Sequence, residues 1–309
     1  MRKDMSVVIP TLDRGEVLLE TVERLLSQEE ARAEILIVDQ TIEHPKKVQT
    51  ELARLQDLKL IRWVRKDLPS IVGAMNDGLK LAISPFVLFL DDDVEPQNEL
   101  IRAHLSNYVD PDIWAVAGQV LQPGQQVESS NSYNPGQGIY RDLSFHFNGS
   151  KRQLVANAMA GNLSVRRDRA LSVGAFDESF EGVAYRFETE FCRRLIRGGG
   201  KVVFDPEASV RHLQAPRGGA AAVRGIHLRS ASPVHSVGDY YFAFRESSGF
   251  ERFRYVLSRM IRAIRTRFHF SHPWWIPVKL LGEARGLFRG YRLSRLVPKL
   301  IDTGERAVK

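Results

Sequence analysis

Phe86-Val87-Leu88-Phe89-Leu90-Asp91-Asp92-Asp93 sets five apolar residues directly against three carboxylates. The apolar run mixes aromatic and β-branched residues without a polar interruption, which predicts a strand buried on both faces. Strands of this kind build open α/β sheets, whose ligands bind at the carboxyl ends of the strands. Three adjacent anions repel one another unless a cation or solvent screens them. In an extended chain Asp91 and Asp93 point to one side and Asp92 to the other. Two hard oxygen ligands so spaced suit Mg²⁺ or Mn²⁺ with coordination positions left open for phosphate oxygens. A solvated turn after the strand is the bland reading of the same three residues.

The residues upstream repeat the pattern. Ser6-Val7-Val8-Ile9-Pro10 reads as a short buried strand, followed by the loop Thr11-Leu12-Asp13-Arg14-Gly15. Residues 16–27 read as a helix, with Val17, Leu18, Val22, Leu25 and Leu26 on one stripe. Ile35-Leu36-Ile37-Val38 is a second strand that stops at Asp39. A helix over 45–55, a strand over 60–64 and a helix over 70–83 lead into the stretch quoted first. Alternating strands and helices with short connections predict an α/β fold: a Rossmann-like, mostly parallel sheet flanked by helices. Thr11, Asp39 and Asp91 each fall just past a strand and converge on one crevice.

Downstream, residues 96–108 read as a helix with Leu100, Ile101 and Leu105 inward, and 113–120 as a strand. Residues 121–150 are rich in Gln, Ser, Asn, Gly and Pro and read as a long irregular flap. A strand over 162–166, a helix over 168–173 and a glycine-based turn follow. Residues 185–195 read as a helix stopped by Gly198-Gly199-Gly200. Helix geometry separates its two glutamates. Glu190 has Arg193 and Arg194 three and four residues on, as ordinary surface partners. Glu188 shares a face with Phe191, Cys192 and Leu195. A carboxylate there is costly unless it has a partner or a task, and burial makes it a better proton acceptor near neutral pH. It reads as a catalytic base, with a buried ion pair to Arg186 as the alternative.

A strand over 201–204 precedes Val210-Arg211-His212, and a neutral imidazole at His212 is either a metal ligand or structural. Pro216-Arg217-Gly218-Gly219-Ala220-Ala221-Ala222 is small and flexible: a lid that offers Arg217 to a phosphate, or a linker.

Composition adds bounds. The 309 residues suffice for one large or two small domains, and the one cysteine, Cys192, excludes an internal disulfide. No secretory signal is expected from the charged start at Arg2, Lys3 and Asp4, nor a spanning helix, since no run reaches ~18 apolar residues. The net charge of +7 is uneven: residues 250–309 carry 14 Lys and Arg against 4 Asp and Glu. Within 250–270 apolar residues and arginines fall on different faces, and Trp274-Trp275 follows, a pattern that suits a membrane interface. The alternative is a helix packed on the body with its arginines solvated. Nothing in this tail matches a nucleic-acid-reading module, so no nucleic-acid partner is expected.

Taken in order, Ser6-Val7-Val8-Ile9-Pro10-Thr11, Ile37-Val38-Asp39, Asn76-Asp77-Gly78, Phe89-Leu90-Asp91-Asp92-Asp93, Ala160-Gly161-Asn162 and Gly174-Ala175-Phe176-Asp177 resemble the family 2 glycosyltransferases of the GT-A fold. The resemblance covers roughly residues 5–215. It implies an inverting enzyme that uses a nucleotide-sugar donor, expected to be a UDP- or dTDP-sugar, and a divalent metal. It implies Thr11, Arg14, Asp39 and Asn76 on the nucleotide, Asp91 and Asp92 at its diphosphate, and Asp91, Asp93 and His212 on the metal. Arg217 would neutralise the donor from the lid, and Glu188 would stand where the family has its acidic base. Two departures bear on donor choice: the family's Asp-Asp-Gly-Ser after the second strand is Asp39-Gln40-Thr41-Ile42 here, and Ala74 stands where an arginine is common. The expected division is a nucleotide-sugar-binding half over 1–95, an acceptor-binding and catalytic half over 96–230, and a basic helical extension over 231–309. The expected acceptor is a glycan or lipid-linked glycan of surface polysaccharide synthesis, and the expected location is cytoplasmic, peripheral on the membrane. A nucleotidyltransferase and a catalytically silent, glycan-binding relative are the competing readings.

Overall fold

The structure is a computed structural model and describes residues 3–28, 33–129, 133–219 and 226–302. Its first half winds strand and helix alternately: β1 (Met5–Thr11), α1 (Gly15–Leu26), β2 (Ala33–Asp39), α2 (Lys46–Asp57), β3 (Arg62–Arg65), α3 (Ile71–Leu81) and β4 (Phe86–Leu90). Every residue of β1 is buried, as its unbroken apolar run requires. β1 pairs in parallel with β2 and β4, and β2 with β3. Ser70 caps α3, accepting the Gly73 N–H at 3.0 Å. That helix lies close on β1 at Gly78, where a Cβ would meet Val8 Cγ1 at 2.2 Å.

The second half comprises β5 (Val94–Pro96), α4 (Leu100–Ser106), β6 (Ile113–Leu121), α5 (Ile139–Leu143), β7 (Gln153–Leu154), β8 (Asn162–Arg166), α6 (Arg167–Ser172), α7 (Phe187–Arg197) and β9 (Lys201–His212). The nine-stranded sheet runs β3-β2-β1-β4-β8-β6-β9-β5, with β7 also on β9. β8 is antiparallel to both β4 and β6, β6 and β9 are parallel, and β5 is antiparallel to β9. Buried Asn162 stitches this region, donating to the Gln119 and Ala208 carbonyls at 3.0 and 2.8 Å.

Three expectations change here. The helix expected over 96–108 starts only at Leu100, because Val94–Pro96 pairs with β9 instead. The strand expected over 201–204 continues to His212 for the same reason. The flap expected over 121–150 is packed rather than free where it is described beyond residue 132. Ile139 and Asp142 are fully buried, Asp142 pairs with Arg193 of α7, and the Ile139 N–H donates to Glu251.

Among the described residues that follow, four α-helices form: α8 (Val237–Glu246), α9 (Gly249–Ile264), α10 (Arg267–Ser271) and α11 (Ile276–Ser294). Gly282, Gly286 and Gly290 lie one turn apart on one face of α11 and let it approach residues 230–231, Ser236 and α8 in turn. A Cβ at Gly290 would meet the Tyr241 backbone nitrogen at 2.8 Å. Tyr241, Phe242 and Tyr255 belong to the same apolar core as Phe89, Phe176 and Phe191 of the sheet side. On α9 the faces are not as expected. Arg252 and Arg259 turn inward to the protein, whereas Phe250, Phe253, Leu257 and Ile261 are exposed along one stripe.

Candidate active site

The carboxyl ends of β1, β2 and β4 bring Thr11, Asp39 and Asp91 to one side of the sheet, and β9 adds His212. The β5–β9 register places Val94 opposite His212, which sets the imidazole against the residue just before Val94. His212 Nε2 lies 3.4 Å from Asp93 Oδ1 and 3.5 Å from Asp91 Oδ2. One ligand atom from each of Asp91, Asp93 and His212 falls within 4.8 Å of the others. The Asp91 carboxylate presses so closely on the 160–161 turn that a Cβ at Gly161 would lie 2.1 Å from Oδ2. Asp93 is fully buried, and its Oδ2 accepts the Ala215 N–H at 2.8 Å. Its Oδ1 has no hydrogen-bond partner among the described residues, although Arg14 stands 2.8 Å away.

These groups fit a divalent cation. Two carboxylates and an imidazole are hard and borderline donors of the kind Mg²⁺ and Mn²⁺ accept. Asp93 Oδ1 already lies between two cationic groups, Arg14 at 2.8 Å and His212 at 3.4 Å, so it is a point where positive charge gathers. Burial opposes the charge of Asp93, but His212, Arg14 and the Ala215 N–H outweigh it and hold the carboxyl below its usual range. Burial likewise opposes charge on His212, yet the two carboxylates push its pKa up to about 9. The cluster therefore takes up positive charge, a proton or a metal.

The strand ends at Leu90, so the alternation expected for the three acids does not apply, and Arg14 Nη1 lies 2.8 Å from both Asp92 and Asp93. Asp92 accepts the Thr11 hydroxyl at 2.6 Å and Arg14 Nη1 at 2.8 Å, and burial lifts it to about 6 despite the Arg14 charge. Thr11 and Asp92 thus hold each other. Arg14 also donates from Nε to the Arg217 carbonyl at 2.9 Å, and the Gly219 N–H donates to the Leu12 carbonyl at 2.9 Å. Gly218, with φ of 72°, lets this loop fold over Arg14, where a Cβ would lie 2.5 Å from Cγ. The Arg217 side chain is exposed at the rim. Residues 220–222 of the expected lid lie outside the described residues.

Asp39 is fully buried with its hydrogen-bonding capacity occupied. It accepts the Thr41 N–H at 2.9 Å, Trp63 Nε1 at 2.8 Å and Arg65 Nη1 at 3.2 Å, and meets His44 Nε2 at 2.6 Å. Burial opposes its charge, but these bonds more than compensate and hold the carboxyl low. His44, Trp63 and Arg65 were not expected here; a signal existed only in Arg65, the cation that ends β3 beside the end of β2. Asn76 is not brought to the crevice. It is fully buried, donating to the Phe176 carbonyl and Glu178 at 2.9 Å each and accepting the Phe176 N–H at 3.0 Å.

Glu188 stands one position inside the N-terminus of α7, after Arg186 in the left-handed region. Burial pushes its carboxyl up to about 7, against backbone N–H groups that include that of Ala160 and against the Arg186 charge; Asp91 raises it further. Glu188 and Asp91 therefore address the same 160–161 turn. Thr189 anchors the helix start, donating to Asn157 at 2.7 Å. Glu190 is a correction: it is buried and bonded by both oxygens to Arg194 at 2.6 and 2.8 Å, because α7 is covered on that side.

Known proteins resemble this chain in sequence and in fold. The sequence profile of glycosyl transferase family 2 matches residues 6–171. A pre-mycofactocin glycosyltransferase of Mycobacterium tuberculosis is 24% identical over 213 residues, 68% of this chain and 43% of that protein. The chain thus spans less than half the length of this relative. A glucosyl-dolichyl phosphate glucuronosyltransferase of Haloferax volcanii is 26% identical over 221 residues, 67% of this chain and 68% of that one. Among solved structures, GalNAc-T7 with UDP, GalNAc and Mn²⁺ matches with a TM-score of 0.58 at 17% identity, over 79% of this chain and 50% of that one. The mannosyltransferase PcManGT of Pyrobaculum calidifontis, with GDP-Man and Mn²⁺, matches with a TM-score of 0.55 at 16% identity, over 96% and 81%. At these identities the structures establish the fold, a GT-A sheet.

Proposed function

The chain belongs to glycosyl transferase family 2, and from that premise we propose that it transfers a sugar with inversion from a nucleotide-sugar to a hydroxyl of a glycan or lipid-linked glycan. The observation that carries the proposal is the convergence of Asp91, Asp93 and His212, with one ligand atom of each within 4.8 Å of the others. Asp91, Asp93 and His212 would hold Mg²⁺ or Mn²⁺. Bound there, the cation supplies charge neutralisation for the donor diphosphate and for the departing nucleoside diphosphate. The two solved neighbours, one with UDP and Mn²⁺ and one with GDP-Man and Mn²⁺, support a cation and a nucleotide without choosing the base. The expected donor is a UDP- or dTDP-sugar.

Arg14 orients Asp92 and Asp93 and ties the Arg217 loop to the end of β1, so the rim of the donor site closes on the same residue that sets its acids. Asp39 orders the 41–44 loop and β3, forming the wall on which the nucleotide's base and ribose rest. Glu188, raised to about 7, accepts the proton of the acceptor hydroxyl. The acceptor oxygen bonds to the anomeric carbon as the bond from that carbon to the diphosphate breaks. Replacing Glu188 by Gln tests this role: transfer to acceptor is expected to fall while metal-dependent nucleotide binding persists. Transfer retained at the wild-type rate would exclude Glu188 as base.

The same chain would work at an anionic membrane surface. Phe250 and Phe253 are 76% and 62% exposed on α9, in line with Leu257 and Ile261, and Arg254, Arg262 and Arg265 flank them on exposed positions. Apolar residues outward with arginines at the flanks suit an interfacial helix. Among the described residues no helix is long and apolar enough to cross a membrane.

A further inference from the structure

A cavity of about 340 Å³, lined by none of Asp91, Asp93 and His212, lies between the start of α7, residues 227–235 and helices α8, α9 and α11. Its walls include Arg186, His227, His235, Arg259, Arg262 and Lys279. The acids facing these groups are Asp239, 2.9 Å from both Arg186 and Arg259, and Glu283, 2.8 Å from Lys279. With Glu188, which the Arg186 charge also reaches, four full cations meet three carboxyl groups, and a positive surplus remains. Arg262 is exposed, donates to the Ser258 carbonyl, and meets no acid among the described residues. His227 Nδ1 is buried without a hydrogen-bond partner among the described residues. Arg259 lines the same wall, its Nε 2.9 Å from Asp239 Oδ2 and its Nη2 donating to the His235 carbonyl at 3.0 Å. A buried polar nitrogen without a partner, as at His227, is costly unless a guest supplies one.

We propose that this cavity binds a phosphoryl group carried by the acceptor. A phosphate monoester or diester brings the negative charge the walls lack and several acceptor oxygens for Arg259, Arg262 and the proton of a suitably protonated His227. A neutral sugar would leave the charge surplus unmet. The place fits an acceptor. Arg186 precedes Glu188 by two residues and its charge reaches the Glu188 carboxyl, so a phosphoryl group held there sits on the base's side of the reaction. Ile261, the last residue of the exposed apolar stripe, adjoins Arg262, so an acyl or prenyl chain attached to the phosphate would run along α9. The role in acceptor binding rests on the transferase reading above; the binding itself does not.

The test is calorimetric titration of the full chain with inorganic phosphate and, separately, with geranyl phosphate, with Mg²⁺ and saturating UDP present to fill the donor site. Both titrations are repeated without UDP, and UDP is titrated alone. Saturable one-to-one binding that Arg262→Glu weakens at least tenfold, at an unchanged Tm, is expected. Tighter binding of geranyl phosphate than of inorganic phosphate would identify a lipid headgroup as the source, and equal affinities a soluble phosphoryl compound. No saturable binding of either probe, binding indifferent to Arg262→Glu, or displacement of the probe by UDP would overturn the proposal. Failure of UDP to bind bears on the donor reading alone, because the probes are also measured in its absence.

Discussion

Asp91, Asp92 and Asp93 are neighbours in sequence with three different fates. Asp91 faces the crevice, Asp92 is locked by Thr11 and Arg14, and Asp93 is buried between Arg14, His212 and the Ala215 N–H. Substituting Asn for Asp93 is expected to abolish metal-dependent nucleotide binding, read by calorimetry, because it removes the buried ligand charge. Gly161→Ala tests the geometry more finely. Its Cβ would lie 2.1 Å from Asp91 Oδ2, so the carboxylate must move, and nucleotide affinity in the presence of metal should fall at least tenfold. Glu188→Gln should lower turnover by roughly 10²- to 10⁴-fold, the range for a general base. Since burial raises Glu188 to about 7, the residue is protonated and idle below that pH. Turnover should therefore rise through pH 7, and the rise should vanish in Glu188→Gln. The sequence showed which carboxylates end strands and that Glu188 sits on an apolar face. It did not show that Asp39, Asn76 and Glu190 are occupied, because the partners of Asp39 and Asn76 come from up to 102 residues away and Glu190 is covered by packing that helix periodicity does not reveal.

Strand and helix existence was legible from apolar runs and periodicity, but their order in the sheet was not. The run at 162–166 was evident, yet its insertion antiparallel between β4 and β6 depends on partners that alternation does not encode. The short β5 was missed because three residues, one of them Pro96, carry no periodic signal, although its pairing positions His212. The spacing of Gly282, Gly286 and Gly290 was visible but gained meaning only from the close approach of residues 230–231, Ser236 and α8. Gly290→Leu should lower Tm, since overpacking against the Tyr240–Tyr241 backbone costs about 1–3 kcal/mol. Asp239 joins α7, α8 and α9 through Arg186, Arg259 and the Tyr255 hydroxyl at 2.8 Å. Asp239→Asn removes the carboxylate that Arg186 and Arg259 share at 2.9 Å and should cost about 3–5 kcal/mol in a denaturant titration. Burial opposes charge on Asp239 and on Glu246, but their arginine partners hold both below the ordinary values of 3.8 and 4.5. The stability they confer is therefore complete above those values and is lost as pH falls through the lower, folded ones.

At the scale of the whole molecule, charge and apolar surface are segregated. Residues 250–309 carry a net +10 while the rest carries −3, and the exposed apolar stripe lies on α9 in that basic part. The asymmetry was readable from composition; that α9 turns Arg252 and Arg259 inward and its phenylalanines outward was not, because both faces of this helix mix arginine with apolar residues. Co-sedimentation with phosphatidylglycerol vesicles should exceed that with phosphatidylcholine, weaken with salt, and drop when Phe250 and Phe253 become Ser. Equal binding to both lipids, or none, would remove the membrane from the account. The central claim, a nucleotide-sugar site built on Asp91, Asp93 and His212, is tested most directly by titrating the chain with UDP, dTDP and GDP, each with and without Mn²⁺. Binding of one nucleotide that requires Mn²⁺ and disappears in Asp93→Asn is the predicted result. Binding of no nucleotide, or binding indifferent to the metal, would contradict it.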